Sequence, residues 1–153
     1  MPEIYRHTQT GKALRLTLLA APLIWLPIAY SAGQLSTFPP LVMALFAVLG
    51  LALGYCFSSL TVVITEIDVR WYFGPGVWRK SLMLREISNA TAERNKWWWG
   101  WGIHRTPRGW LYNVAGLDAV EIIKHDGAML RIGSDEADVL ARVIMSMAGR
   151  PNA

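Results

Sequence analysis

The fold is decided by two uncharged stretches, LTLLAAPLIWLPIAYSAG (Leu16–Gly33) and LVMALFAVLGLALGYCFSSL (Leu41–Leu60). No Asp, Glu, Lys or Arg occurs between positions 16 and 65. Stretches of 18 and 20 residues, which as helices rise about 1.5 Å per residue, approach the thickness of a hydrocarbon core of about 30 Å. We therefore predict a transmembrane helical hairpin over 16–59, with helices at 16–33 and 41–59.

The residues that flank the two stretches set the predicted orientation. The connecting segment Gln34–Pro40 carries no charge, whereas basic residues stand outside both runs: Arg6, Lys12 and Arg15 before the first, and Arg70, Arg79, Lys80 and Arg85 after the second. The positive-inside rule then places both termini in the cytoplasm and predicts a multi-pass protein of the cytoplasmic (inner) membrane. A signal peptide ending near Ala29-Tyr30-Ser31 is the alternative, and it leaves the C-terminal domain on the same side.

Small residues indicate how the two helices pack. Gly50 and Gly54 form a small-xxx-small pattern that lets helix backbones approach closely, either within the hairpin or at a homodimer seam. Hydrophobic residues make up 53% of the chain and charged residues only 17%, and the excess lies in this block. A hairpin buried in a soluble core is disfavoured, because too few residues remain to surround it.

The rest of the chain has the composition of a soluble domain. Positions 66–153 contain 12 of the 15 Lys and Arg residues and 10 of the 11 Asp and Glu residues. Cys56 is the only cysteine, so a disulfide within the chain is excluded. The net charge of +4 is small and dispersed, and therefore no nucleic-acid partner is predicted.

Alternating hydrophobicity predicts an antiparallel β domain over 60–148, between a cytoplasmic segment at 1–15 and a tail at 149–153. Seven or so short strands are expected, from candidates at 60–64, 66–73, 77–84, 87–93, 101–105, 110–114, 119–124 and 129–132. Asp126-Gly127 suits the tip of a hairpin. Ser134 begins a terminal helix, whose apolar residues from Leu140 to Met147 recur on one face. The predicted fold class is α+β, with a transmembrane hairpin, a small barrel or sandwich, and a C-terminal amphipathic helix.

Several short motifs resemble the bacterial pleckstrin-homology-like (PH-like) domain, in which a two-helix anchor precedes the domain. The motifs are Ile64-Thr65 before the strand ending at Gly74, Arg85-Glu86-Ile87, Trp101-Gly102-Ile103, Gly109–Val114 and Arg131–Glu136. The likeness covers roughly Leu60 to Met147. It implies a domain that binds or oligomerises and does not catalyse a reaction.

The most unusual feature is the tryptophan-rich segment, Lys96–Gly102, with tryptophan at 97, 98, 99 and 101. In a strand these rings cannot all face one core, because successive side chains point to opposite faces. We predict a membrane-interface or partner-binding surface made of Trp97, Trp98, Trp99, Trp101, Lys96, Arg105 and Arg108, since tryptophan and basic residues favour that interface. The alternative is that two of the rings fill the core and two cover an edge strand.

A second candidate site is basic. The turn at Gly74-Pro75-Gly76 brings Arg70, Arg79 and Lys80 close together, as candidate headgroup-binding residues, although a solvated face of mixed charge is the commoner outcome. The three histidines lack metal-ligand spacing, and no nucleophile motif occurs. We therefore predict no enzyme activity, no metal and no cofactor.

The function predicted from the sequence is a non-catalytic, membrane-tethered binding or assembly module that acts at the inner leaflet. Its predicted partners are membrane lipids, with a membrane protein or a second copy as further candidates. The alternative is a small accessory or scaffold subunit of a larger membrane complex, which associates through its helices.

Overall fold

The computed structural model describes residues 2–31, 33 and 39–149. This part of the chain contains three α-helices: α1 (Lys12–Ser31), α2 (Pro40–Cys56) and α3 (Ala137–Ala148). Its strands are β1 (Tyr5–Thr10), β2 (Ser59–Ile64), β3 (Asp68–Phe73), β4 (Val77–Met83), β5 (Ile87–Arg94), β6 (Gly102–Thr106), β7 (Gly109–Asn113), β8 (Asp118–Lys124) and β9 (Met129–Gly133). Short 3₁₀ turns occupy Leu84–Glu86 and Trp97–Trp99.

The first sheet is antiparallel, in the order β1-β2-β3-β4. Its first strand comes from the N-terminal segment: Tyr5 pairs with Ile64 and Thr10 with Ser59. The two helices α1 and α2 therefore lie between two strands that pair with each other. The backbone N–H of Gly11 extends this pairing by donating to the carbonyl of Ser58 over 2.8 Å.

The second sheet has the order β5-β8-β9-β7-β6. All its neighbours are antiparallel except β7 and β9, which are parallel. One hydrophobic core draws on both sheets and on α3, and its fully buried side chains include Ile64, Val69, Phe73, Val120, Ile122, Ile132, Leu140 and Ile144. Each such side chain contributes about 1.5–3 kcal/mol relative to an exposed one, so this core is what holds the two sheets together.

The predicted transmembrane hairpin is wrong. Within the described residues, no helix combines the length and the apolar composition that crossing a membrane requires. The second helix has 17 residues, because β2 takes over the chain at Ser59, and at about 1.5 Å per residue it falls short of a core of about 30 Å. The first begins at Lys12 and includes Arg15 in its first turns.

This finding overturns three further predictions: the membrane-protein class, the multi-pass location in the cytoplasmic membrane, and the two-helix anchor of the suggested family. The barrel alternative of the predicted fold class is also wrong, because the two described sheets do not close into a barrel. Positions 34–38 of the predicted connecting segment and 150–153 of the predicted tail lie outside the described residues.

Candidate interaction surface

The tryptophan-rich segment connects β5 to β6 and turns sharply. Trp97–Trp99 form the 3₁₀ turn, which ends at Gly100 with a φ of +69°. Trp97 is 74% exposed and Trp98 is 60% exposed, while Trp99 is half-buried. None of the four tryptophans of the segment belongs to the buried core.

A buried ion pair lies under the segment. Arg131 of β9 and Glu121 of β8 are cross-strand partners, and their side chains are only 4% and 6% exposed. The Nε and Nη2 atoms of Arg131 donate to Oε2 of Glu121 over 2.8 and 2.7 Å. Their neighbours Val120 and Ile132 point into the core, so this pair occupies the opposite face of the second sheet.

Arg131 connects this ion pair to the tryptophan-rich segment in two ways. Its Nη1 donates to Oδ1 of the buried Asn95 over 3.0 Å, and its guanidinium lies 5.2 Å from the centre of the Trp99 ring. Such a cation–π contact is worth about 2 kcal/mol or more where water is excluded. Trp99 is therefore the anchor of the segment, whereas Trp97 and Trp98 are its outward-facing part.

The exposed rings form a small aromatic and cationic cluster. Trp97 and Trp98 meet edge to face, with 5.8 Å between their centres. The Nζ atom of Lys96 lies 5.1 Å from the centre of the Trp98 ring. A charged group and two large apolar rings thus share one exposed point on the molecule.

The other basic residues predicted for this surface are placed differently. Arg108, in the turn between β6 and β7, reaches Oε1 of Glu121 at 3.4 Å and so extends the buried pair towards solvent. Arg105 is exposed on β6. Trp101 is held by a hydrogen bond between its carbonyl and the ring of His104.

The loop between β7 and β8, residues 114–117, joins the tryptophan-rich segment to the strand that leads into α1. The backbone N–H of Asn95 donates to the carbonyl of Leu117 over 2.6 Å. The side chain of Gln9 donates to the carbonyl of Ala115 over 3.1 Å. Because Gln9 lies just before α1, the segment and the helical pair α1–α2 leave the β-sheets at the same end.

The helices themselves present apolar side chains to the outside. They pack against each other, and Gly54 is buried while Gly50 is half-buried. Among the helix side chains that the structure describes, the large exposed hydrophobic ones are Leu16, Ile24, Ile28, Tyr30, Leu41, Leu45, Phe46, Val48, Leu49, Leu51, Leu53 and Tyr55. A contiguous apolar patch larger than a few hundred Å² usually marks an interaction site.

The basic candidate site is assembled, but with acidic neighbours. Arg70, Arg79 and Lys80 line one open cavity of about 290 Å³, together with Tyr72 and Glu3. The Nε of Arg70 is 2.7 Å from a carboxylate oxygen of Asp68, and the Arg79 guanidinium lies 5.6 Å from the Tyr72 ring centre. Part of the positive charge is thus already compensated within the protein.

The residues that hold the tryptophan-rich segment were missed by the sequence analysis, although the sequence contains a signal for them. Glu121 and Arg131 each stand alone as a charge inside an apolar strand. They are also equidistant from Asp126, the tip of the predicted hairpin, so that hairpin already implied that they pair.

The sequence analysis also missed the exposed aromatic residue Trp78, and no comparable pattern in the sequence indicates it. It is exposed, has a φ of +49° and lies 6.2 Å from Phe57 at the end of α2, centre to centre.

One further polar cluster ties β1 to the start of α3. The two ring nitrogens of His7 lie 2.5 Å from Asp135 and 3.3 Å from Glu136. Tyr5 donates to the Glu136 carboxylate over 3.2 Å. Burial, reinforced by the nearby Glu136 charge, raises the pKa of Tyr5 to about 12.

Among the described residues, no group of three or more His, Cys, Asp or Glu side chains is arranged to hold a metal ion.

No family model, no curated protein and no solved structure matches this chain. No helix in the described part of the chain could span a membrane, and the two findings together overturn the predicted assignment to the bacterial PH-like family. The motifs that suggested it are short elements of ordinary strand and turn sequence. The proposals below therefore rest on the geometry of the chain itself.

Proposed function

We propose that this protein is a non-catalytic binding module that attaches to a lipid surface through its tryptophan-rich segment. The observation that carries the proposal is that Trp97 and Trp98 are exposed while the adjacent Trp99 is held by Arg131. Exposed tryptophans that merely fill space would not need a buried ion pair to position them. Because Trp99 already holds the segment in place, less conformational entropy is lost when the segment binds.

The chemistry of the cluster favours the boundary between water and lipid. A tryptophan ring is large and apolar but keeps one polar N–H, which suits an environment that is dry on one side and wet on the other. Lys96 lies beside the rings, and a basic residue near an anionic lipid surface adds about 1 kcal/mol. The helices α1 and α2 leave the sheets at the same end as the tryptophan-rich segment, so their exposed apolar side chains would face the same lipid surface.

A second candidate function is protein–protein assembly through α1 and α2. It is favoured by the exposure of large aliphatic side chains along both helices, of which Leu41 is 80% exposed. Such a surface could pack against a partner protein or a second copy. In that case Trp97 and Trp98 would contribute little to the affinity.

Vesicle binding by the full-length chain distinguishes the two candidates. The test variant is Trp97→Ser with Trp98→Ser, and the matched control is Trp110→Ser, because Trp110 is 48% exposed but lies at the other end of β7. Burying each ring contributes about 1–3 kcal/mol, so the double variant should bind anionic phosphatidylglycerol vesicles at least about tenfold more weakly. The control should bind as the natural chain does.

Brominated lipids provide an independent reading of ring position, because they quench only tryptophans that contact the acyl chains. Quenching should be weaker in the double variant, which keeps its other tryptophans, and unchanged in the control. Unchanged vesicle affinity and quenching in the double variant would refute attachment through the segment. Concentration-dependent self-association that persists in that variant would then favour assembly through the helices.

A further inference from the structure

We infer that the free edge of β5, where α3 runs beside it, binds an extended peptide segment of a partner protein as an added β-strand. This site is separate from the tryptophan-rich segment and does not depend on the proposed lipid attachment. The inference rests on the direction of backbone groups, on the small side chains around them and on two charges of α3.

The first observation is a backbone donor with a poor acceptor. β5 ends the second sheet, and within the described part of the chain its only strand neighbour is β8. The backbone N–H of Ala90 nevertheless points to the sulfur of Met145 in α3, at 3.1 Å, so it faces away from β8. A thioether is a weak acceptor. Because strand backbones alternate in direction, the N–H and C=O of Ala92 point to the same open edge.

The second observation is a groove at this edge. An open cavity of about 270 Å³ lies between β5 and α3. Its small side chains are those of Ala90, Ala92 and Ala141, and its only long apolar one is the partly exposed Met145. Small side chains allow another backbone to approach to the strand spacing of about 4.8 Å. The flexible Met145 can move aside and release the Ala90 donor.

These backbone groups specify what kind of molecule binds. A row of donors and acceptors at strand spacing is matched by another extended backbone, whereas an acyl chain or an apolar small molecule would leave it unpaired. Asp138 and Arg142 line the groove and are four positions apart, about 6 Å along the helix. Alternate residues of a strand are about 6.6 Å apart. The complementary segment therefore has a basic and an acidic residue two positions apart.

The test uses the full-length chain with isotope-labelled alanine and methionine. The probes are short blocked peptides with Lys-Ala-Glu or Glu-Ala-Lys at their centre, because the strand direction decides which order fits. One of them should shift the amide resonances of Ala90 and Ala92 and the methyl resonance of Met145. N-methylation of the peptide amides that face β5 should weaken binding at least about tenfold, since it removes the donors of the added ladder.

Two variants make the result specific. Asp138→Arg with Arg142→Glu reverses both charges at exposed positions and should reverse the preference between the two peptides. Met145→Leu removes the competing sulfur acceptor and should leave the affinity the same or higher. The inference is refuted if neither peptide shifts these resonances at millimolar concentration, or if N-methylated peptides bind equally well. It is also refuted if the edge proves to be occupied by β5 of a second copy, seen as concentration-dependent shifts without peptide.

Discussion

Replacing Arg131 with methionine tests whether the buried ion pair supports the tryptophan-rich segment. Methionine keeps much of the length of the arginine stem but has no charge and no N–H donors. The substitution removes two hydrogen bonds to Glu121, one to Asn95 and the contact with the Trp99 ring. Glu121 then keeps only Arg108, whose side chain is more than half exposed.

The expected cost follows from what remains buried. Removing one partner of a buried ion pair costs about 3–5 kcal/mol, because the other charge stays in a low-dielectric site without compensation. A domain of ordinary stability, about 5–15 kcal/mol, would lose a large fraction of it. At about 2–4 °C per kcal/mol for a chain of this size, the melting temperature should fall by about 6–20 °C.

A double-mutant cycle with Glu121→Leu separates the pair from general damage to the core. If the cost comes from an uncompensated charge, the double variant should be more stable than the sum of the single effects by at least about 1 kcal/mol. Urea unfolding followed by circular dichroism measures the free energies. A cost below about 1 kcal/mol for Arg131→Met, or additive effects in the cycle, would refute the reasoning.

Two further predictions concern local constraints in the sheets and at β1. Gly109 has a φ of +102°, and a Cβ there would clash with the backbone carbonyl of Met129, whereas a Cβ at Gly127 (φ +82°) would meet nothing within 4 Å. Gly109→Ala should therefore lower the free energy of unfolding by about 1–3 kcal/mol more than Gly127→Ala, and equal urea midpoints would contradict the clash. Tyr5 holds its proton up to a pKa of about 12, against 10.0 for an ordinary tyrosine, so the folded state loses stability as the pH rises from 10 to 12. Tyr5→Phe should flatten that decline, and parallel pH profiles for the two proteins would show that Tyr5 does not cause it.

Local sequence patterns located some strands and missed others for an identifiable reason. β3 lies within the predicted strand at 66–73, because Val69, Trp71 and Phe73 alternate with polar residues and are buried. β1 has no such pattern, since Tyr5, His7 and Gln9 are polar or amphipathic on the inward side. Its partner β2 is about fifty positions away, and a pairing over that distance leaves no local signal.

The transmembrane prediction shows a different limit of sequence reasoning. The lack of charge between positions 16 and 65 measures apolar composition, but it does not show where a helix ends. The last part of that interval is β strand, because Leu60, Val62 and Ile64 belong to the core between the sheets. The strand at 60–64 was predicted, but the second helix was predicted to run to position 59, whereas α2 ends at Cys56 and β2 begins at Ser59. Apolar composition alone does not mark that boundary.

The candidate surface could be predicted in part. Four tryptophans in five positions indicated that some rings must be exposed, and Trp97 and Trp98 are. Which ring is the anchor could not be predicted, because this depends on the depth of Arg131 beneath Trp99. The position of Arg131 follows from the pairing of β8 with β9, and the position of Trp99 follows from the turn that the chain makes after β5. The charged residues inside these two strands contained the only sequence evidence for it.

The fold connects two elements that are far apart in the sequence to the same loop. The loop at 114–117 accepts a hydrogen bond from Gln9, just before α1, and another from Asn95, just before the tryptophan-rich segment. Both acceptors are backbone carbonyls of the loop between β7 and β8, each of which pairs with β9, so neither element can shift far without breaking a bond. An apolar helical pair and an exposed aromatic cluster that were independent would bind additively. Because a single loop fixes both, ordering one should prepare the other, and the two should bind a lipid surface as a unit.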